Sequence, residues 1–522
     1  MLFRQRLELI TEREPERPAV LFDDSADGGR RRTFGEHWLR VGRIQAALAG
    51  RGVTRTTTFA AIAGNGAHLL ELFHAALCGH GTIVPINFRL SEPEIHAIIS
   101  ASGSELVFVD RAHQHLVPAL SPMVRAVVVL DGPDSTWEEE LGQASASPAR
   151  CPAAEETPLV LFTGGSTGTA KGTLLSQRAL AADIDKMTVR LRQLGDGGQQ
   201  VFLHQNAMFH SSALVGITYL PTAGGASCFV PRFDAEAVRA AVRRHRATLT
   251  SMIPTTMQML LDATGPDNDD LASLDAVCYG GSAISASLVE RFGKELTGVR
   301  LFGGYGMTEA CGHVTNLEPA DHRPGSRHLR SSGRAFPGTT VTAVDADGRT
   351  LPDHRVGELV IDADNLMDGY LGNPAETSHA LRNGRFHTGD LGYLDDGYVY
   401  VVGRLKDMIV TGGENVYAGE VESVVAQHPG VAQVAVFGIP DPRWGEAIHA
   451  TVVPHAGARL DLSSITSFCQ GRIASYKTPK SIEIRTHPLP TAATNKIDKS
   501  TLRAEFHANG VDAEDVSGTG RP

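Results

Sequence analysis

FTGGSTGTAKG (residues 162–172) begins at the end of the apolar run LVLF and gathers four glycines, four hydroxyl side chains and one lysine. Three roles are open to such a stretch: a cradle for phosphate, a turn that exposes a nucleophilic serine, or a flexible connection. Glycines let backbone N–H groups converge on an anion, and hydroxyls and an ammonium add donors. The pattern GxxxxGK[ST] fails, because Ala170 precedes Lys171 and Gly172 follows it, and GxGxxG fails as well. Gly164-Gly165-Ser166-Thr167-Gly168 does satisfy GxSxG, the elbow of serine hydrolases, which requires a strand, a sharp turn and an immediate helix. Here TGTAKGTLLS follows Ser166, so a second extended run is expected before a helix can start near Ser176. That order disfavours the elbow and leaves phosphate loop and plain loop in balance.

Outward from this stretch, short β-rich runs alternate with helical patterns. AVLFD (19–23), then a turn, a strand and the amphipathic segment RTFGEHWLRVGRIQAALAGRG open the chain; TFAAIA, ELVFVD, RAVVVLD and PLVLF follow. Such alternation predicts an α/β fold with mostly parallel, helix-covered sheets; an additional β subdomain is expected beside them. In LGYLDDGYVYVVGR, Asp396-Gly397 marks a hairpin, because both residues tolerate the positive φ of a tight turn. Beyond it, EVESVVAQHP, VAQVAVFGIPD, AIHATVVPHA and SIEIRTHPLP predict a small α+β unit. The expected domains are therefore 1–403 and 404–522, with the hinge at Gly403 to Lys406 and a loose tail over about 509–522.

The chain of 522 residues is long enough for two or more cores. Its net charge of −11 argues against a protein that wraps nucleic acid or lies on anionic lipid. The Arg30–Arg32 and Arg239–Arg246 clusters read as solvated turns and helix faces. Six scattered cysteines (Cys78, Cys151, Cys228, Cys278, Cys311, Cys469) show no metal-like spacing and fit a reduced compartment. With acidic residues throughout the first twenty positions and no window of about 18 unbroken apolar residues, a cytoplasmic protein without a membrane span is expected.

Further motifs shift the balance at the glycine-rich stretch. YGGSAI (279–284), YGMTE (305–309), GRAFPG (333–338), GEL (357–359), MDGYLGNPAET (367–377), TGD (388–390), GRLKDMIVTGGENVYAGEVE (403–422), PDPRWGE (440–446), YKTPK (476–480) and PLPTAATNKIDKSTLR (488–503) follow it in order. Together with FTGGSTGTAKG they resemble the adenylate-forming superfamily, which includes acyl-CoA synthetases, firefly luciferase and the adenylation domains of peptide synthetases. The likeness runs over about 350 residues. WGE and GGEN point to the acyl-CoA synthetase branch.

The resemblance implies an ATP-dependent acid–CoA ligase that forms acyl-AMP and then a thioester, with ATP, Mg²⁺ and coenzyme A as reactants and a small carboxylic acid as substrate. It implies that Thr163, Gly164, Gly165, Ser166, Thr167, Gly168 and Lys171 hold the β- and γ-phosphates. Glu309, with Thr308 and Thr163 near, would hold Mg²⁺, since hard oxygen ligands suit that ion. Tyr305 would stack on adenine, with Gly281 and Ser282 beside the base. Asp390 would grip the ribose through two acceptor oxygens, and Arg404 would reach ribose or phosphate. Lys496 would neutralise the α-phosphate and the substrate carboxylate during adenylation. Rotation of a mobile 404–522 at Lys406 would then replace it with Gly412, Gly413, Glu414 and Asn415, which line the path of the thiol. His210 matches a gating histidine, and Tyr279, Gly280, Gly303, Gly304 and Met307 would wall the acyl pocket, the two small residues at 303 and 304 leaving room.

Several positions depart from the family pattern: Gly164, Ala170, Gln177, Gly303, Ala418 and Asn495. None removes a charge that adenylation needs, but they loosen any transfer of substrate identity. Open alternatives are an amine or carrier-protein thiol as acceptor, an unusual activated acid, a serine hydrolase acting through Ser166, and a nucleotide-binding module without turnover. A homodimer is one assembly compatible with the sequence.

Overall fold

The structure is a computed structural model that describes the whole chain apart from residues 23–30, 134, 147–150, 164–169, 195–197, 265–268, 283, 324, 412–413, 492–496 and 509–522. The chain divides into two compact units: Met1–Val341 with Ile361–His387 and Asp396–Val399, and Thr342–Val360 with Thr388–Asp395 and Tyr400–Pro522.

The first unit contains two seven-stranded sheets. In one, the spatial order is Gly369–Tyr370, Lys171–Leu175, Leu159–Thr163, Thr82–Pro85, Thr58–Ile62, Leu106–Val109 and Ala126–Val129. The last five strands run parallel, and Lys171–Leu175 and Gly369–Tyr370 are added antiparallel at one side. In the other, Arg300–Gly303, Ala276–Tyr279, Leu249–Met252, Val201–His204, Ala226–Phe229 and Pro18–Leu21 are parallel, and Arg31–Thr33 closes the edge antiparallel. The strands read as continuous apolar runs because parallel sheets are covered on both faces. Against the first sheet, the helix Glu92–Ser102 buries Ile95, Ile98 and Ile99, the i, i+3, i+4 stripe of one helical face, onto Ile62, Val84 and Val107. Against the second, Val238 and Val242, Leu260 and Leu261, and Val289 and Phe292 come from three successive helices. Each such side chain contributes about 1.5–3 kcal/mol relative to exposure.

Local signals account for the element ends. Helix Phe34–Gly50 starts at Thr33, whose hydroxyl accepts from Glu36 N while Glu36 accepts from Thr33 N, a reciprocal cap. An antiparallel pair, Thr315–Asn316 with Arg334–Ala335, extends onto Tyr398 and supplies the additional β element. Asp396 and Gly397 both take positive φ, 51° and 77°, between the strands Arg385–Asp395 and Tyr398–Arg404, as the Asp-Gly signal predicts.

In the second unit the long strands Val431–Asp441 and Gly445–Pro454 form an antiparallel hairpin. Met408–Thr411 pairs with Glu414–Tyr417, and Ser481–Ile484 lies parallel to Gly445–Pro454. Helices Ala418–Val425 and Leu462–Cys469 pack Val421, Val425 and Ile465 onto Ile409, Val436 and Ile448. Among the described residues no helix is long and apolar enough to cross a membrane.

Candidate active site

The opening stretch is a strand–loop–strand hairpin. Leu159–Thr163 pairs antiparallel with Lys171–Leu175 in the register Thr163↔Lys171 and Phe162↔Gly172. A helix begins only at Gln177, with Ser176 as its cap, so the strand, turn and immediate helix of a nucleophile elbow are not formed. Gly164 to Gly168, Ser166 and Thr167 among them, lie outside the described residues. The hairpin nevertheless fixes what flanks that loop. Thr163 and Lys171 stand opposite each other at its mouth, the threonine hydroxyl 3.5 Å from Lys171 O.

Lys171 Nζ is 2.5 Å from Glu376 Oε2 and lies 5.4 Å from the centre of the Tyr370 ring. Lys171 holds the Glu376 carboxyl below its usual range, chiefly through this hydrogen bond. The phenol of Tyr370 donates to Glu309 Oε1 at 2.9 Å. Burial, reinforced by Glu309, pushes the Tyr370 phenol well above its ordinary pKa, so it remains a donor.

Glu309 and Thr308 sit in a short 3-10 turn between Met307 and Gly312, closed by Ala310 N and Gly312 N on Met307 O. This turn doubles back so tightly that a Cβ on Gly306 would fall 1.8 Å from Gly312 O, and only glycine fits. The Thr308 hydroxyl approaches Ser211 Oγ at 3.4 Å, which brings the His210–Ala213 segment against the turn. His210 itself is half-buried and packs on Phe209, which meets Phe88 edge-on.

Underneath lies a buried polar cluster that no motif announced. Asn365 Nδ2 donates to Ala310 O and His313 O, Lys186 Nζ donates to Asn365 Oδ1 at 2.5 Å, and His313 Nδ1 lies 3.0 Å from Asp183.

Tyr305 is half-buried; its N–H donates to Thr315 Oγ1, and its carbonyl accepts from Val314 and Thr315. Gly281, at φ 81°, and Ser282 are exposed just beyond the end of Ala276–Tyr279. These positions and Gly303–Met307 follow the carboxyl ends of adjacent parallel strands, where ligands bind in open α/β sheets. The room expected at Gly303 and Gly304 is not there. A Cβ on Gly303 would meet the Tyr279 hydroxyl at 2.6 Å, and one on Gly304 would meet Arg190 Nη2 and Thr315 O at 2.6 Å. The glycines admit neighbouring groups rather than leaving a void, and Gly280 likewise faces Gly304 O. Tyr279 is buried, with its hydroxyl donating to His322 Nε2 at 2.8 Å.

In the second unit, Asp390 pairs with Arg404, Nε to Oδ1 3.2 Å, and its N–H donates to Thr388 Oγ1. Lys406 is exposed in the 3-10 turn Leu405–Asp407. Glu414 and Asn415 begin the strand opposite Thr411 and Val410, while Gly412 and Gly413 are outside the described residues, as is Lys496.

This donor set fits Mg²⁺ and a polyphosphate. Tyr370 occupies one oxygen of Glu309, the second has no side-chain partner among the described residues, and Thr308 precedes Glu309 in the chain. No cluster of three or more metal-binding side chains occurs among the described residues. A Mg²⁺ ion that shares its ligands with phosphates needs only one or two carboxylates. Lys171 is the cation that stands beside the Glu309 carboxylate, over the Tyr370 ring.

Residues 7–371 match the AMP-binding enzyme profile, and residues 420–496 match the AMP-binding enzyme C-terminal domain. The chain belongs to the AMP-binding enzyme family. Feruloyl-CoA synthase from Amycolatopsis sp is 36% identical over 92% of this chain and 95% of its own length. Fatty acid–[acyl-carrier-protein] ligase ScoC from Streptomyces coeruleorubidus is 31% identical over 95% and 94%. Among solved structures, o-succinylbenzoate coenzyme A synthetase (MenE) from Bacillus subtilis in complex with ATP and magnesium ion superposes with a TM-score of 0.83 at 27% identity, covering 95% of this chain and 99% of that one. Within this family setting, Tyr370 and Glu376 are the contacts that sequence reading passed over. Both stand in the quoted stretch MDGYLGNPAET, but only the fold shows that it pairs with the lysine-bearing strand.

Proposed function

We propose that the chain is an ATP-dependent, AMP-forming acid–CoA ligase acting on a small or medium carboxylic acid, aromatic or aliphatic. The observation that supports this reading is the link from Lys171 through Tyr370 to Glu309, which joins the lysine read as the phosphate-binding cation to the carboxylate read as the metal ligand.

In the first half-reaction a carboxylate oxygen attacks the α-phosphorus and pyrophosphate leaves. In the second, the thiol sulfur bonds to the acyl carbon, its proton is released, and AMP leaves. Lys171 and the hydroxyls and amides of Thr163 to Gly168 bind the β- and γ-phosphates; Glu309 and Thr308 hold the divalent ion. Bound Mg²⁺ would supply neutralisation of phosphate charge as the leaving group departs. Tyr305, Gly281 and Ser282 serve the adenine, Asp390 and Arg404 the ribose. Lys496 serves adenylation, the loop Gly412 to Asn415 serves thiol entry, and Lys406 is the hinge between the two steps. His210, Tyr279, Gly280, Gly303, Gly304 and Met307 bound the acyl group; with the glycines' outer space already filled, the Tyr279 hydroxyl sets the polarity of that wall. The reduced cysteines fit a cytoplasmic enzyme, and a homodimer is its proposed assembly.

The likeness to ScoC supports a second reading of the acceptor alone, a carrier-protein thiol in place of CoA. Pyrophosphate release should be measured over a panel of carboxylic acids, with CoA, with a carrier protein, or with neither. Acid-dependent pyrophosphate release and a CoA thioester are expected. A thioester on the carrier alone selects the second reading, and ester hydrolysis without ATP overturns both.

A further inference from the structure

The residues that would meet the metal and the phosphates come from segments far apart in sequence, so something must set their separation. The stretch 365–371 touches both. On one side Asn365 Nδ2 donates to Ala310 O at 2.7 Å and His313 O at 2.9 Å, Met367 N donates to Glu309 O at 2.8 Å, and the Tyr370 hydroxyl donates to Glu309 Oε1 at 2.9 Å. On the other side Asp368 N donates to Leu174 O and Leu371 N to Gly172 O, which zips the stretch onto the strand that carries Lys171. Tyr370 stands opposite Thr173 in that pairing, and its ring lies under Lys171 Nζ. Lys186 and Asp183, both buried on the helix Gln177–Leu191, tie down the start of the stretch through Asn365 and His313.

We infer that Tyr370 is a positioning residue for the divalent cation: by binding Oε1 it fixes the rotation of the Glu309 carboxylate and directs Oε2 to the metal. A carboxylate on a side chain with three rotatable bonds otherwise samples several rotamers, and each lost conformer brings the ligand closer to its working geometry before the metal arrives. Tyr370 would act through Glu309 and does not itself meet the metal. The inference rests on the reading of Glu309 as the Mg²⁺ ligand.

Tyr370→Phe separates this role from packing, since it keeps the ring, the strand pairing and the cation–π contact and removes only the O–H. Wild type, Tyr370→Phe and Glu309→Gln should be compared in the full chain by calorimetric Kd for Mg²⁺·α,β-methylene-ATP and for the metal-free nucleotide. The Mg²⁺ concentration at half-maximal pyrophosphate release and the conversion of supplied acyl-AMP to thioester should be measured beside them. Tyr370→Phe is expected to weaken Mg²⁺·nucleotide binding about tenfold, the loss that accompanies one hydrogen bond to a charged acceptor. Metal-free nucleotide affinity and thioester formation should stay at wild-type values. If Glu309→Gln abolishes the Mg²⁺ dependence while Tyr370→Phe leaves it unchanged, the role given to Tyr370 is wrong and the reading of Glu309 stands. If Glu309→Gln keeps the wild-type Mg²⁺ dependence, the reading of Glu309 fails and takes this inference with it. Equal loss of metal-free binding and thioester formation in Tyr370→Phe identifies a packing role and also overturns the inference.

Discussion

Lys171 Nζ and Glu376 Oε2 are 2.5 Å apart, so the lysine assigned to the β- and γ-phosphates already holds a carboxylate. Glu376 occupies the first turn of the short helix Pro374–Ala380, with its N–H capped by Asn373. On the proposed role of Lys171, phosphate oxygens would have to displace this resident anion. Because the glutamate side chain is 40% exposed, the pair is worth only about 0.2–1 kcal/mol. Glu376→Gln should therefore lower the KM for ATP, by no more than about fivefold, with kcat nearly unchanged. Initial rates of pyrophosphate release over an ATP series check this, and a raised KM would show that Glu376 orients the lysine instead.

Lys496→Ala should lose adenylation by about 10²–10³-fold, the scale of removing one charge-stabilising group from a transition state. The same variant should still convert supplied acyl-AMP to the thioester at close to the wild-type rate, because the second step would use the Gly412–Asn415 loop. Separate assays of the two half-reactions decide it, and a parallel loss in both argues against a lysine reserved for the first.

How far these features could be read from sequence depends on the range of the forces involved. Local signals were legible: the extended run after the glycine-rich stretch, the helix start near Ser176, and the Asp396-Gly397 turn all depend on neighbours within a few residues. The charged residues Lys171 and Glu309 were visible as chemistry, and family resemblance assigned them roles. Their connection was not. Tyr370 reaches Glu309 across 61 positions and Glu376 reaches Lys171 across 205, and no spacing rule encodes such contacts. The space beside Gly303 was misjudged for a related reason, since side-chain volume can be filled from another strand, here by Tyr279.

Gly306→Ala should be far more damaging than its small change in volume suggests. The new Cβ would lie 1.8 Å from Gly312 O and 2.5 Å from Gly312 C, so backbone, not a flexible side chain, has to move. The turn that moves carries Thr308 and Glu309. Destabilisation of at least about 2 kcal/mol is expected, in the range of overpacked interiors, together with loss of adenylation. Gly50→Ala, at the end of the helix Phe34–Gly50 with nothing within 4 Å, is the matched control and should be neutral. Urea midpoints at unchanged m-value measure both.

Acid should destabilise the first unit through histidines that are buried uncharged. His37 Nε2 and His74 Nδ1 are 2.7 Å apart, His74 Nε2 donates to Ile217 O, and His204 Nε2 meets Ser227 Oγ. Burial lowers His74 to about 4 and His204 to about 3, and holds His37 well below its ordinary value, with His74, Arg32 and Arg40 adding to the effect. As pH falls below about 6.5 the unfolded chain takes up these protons and the native chain does not, so stability drops with falling pH. The loss runs from about 6.5 down to about 4 for His74 and about 3 for His204, at up to about 1.4 kcal/mol per pH unit for each histidine. Paired carboxylates add a loss of the same sign, which makes the variant comparison decisive. Urea unfolding between pH 7.5 and 5 should give a steeper pH dependence for wild type than for His204→Asn, by about one proton. Parallel curves would mean that His204 is protonated in the folded protein and that its burial carries no acid penalty.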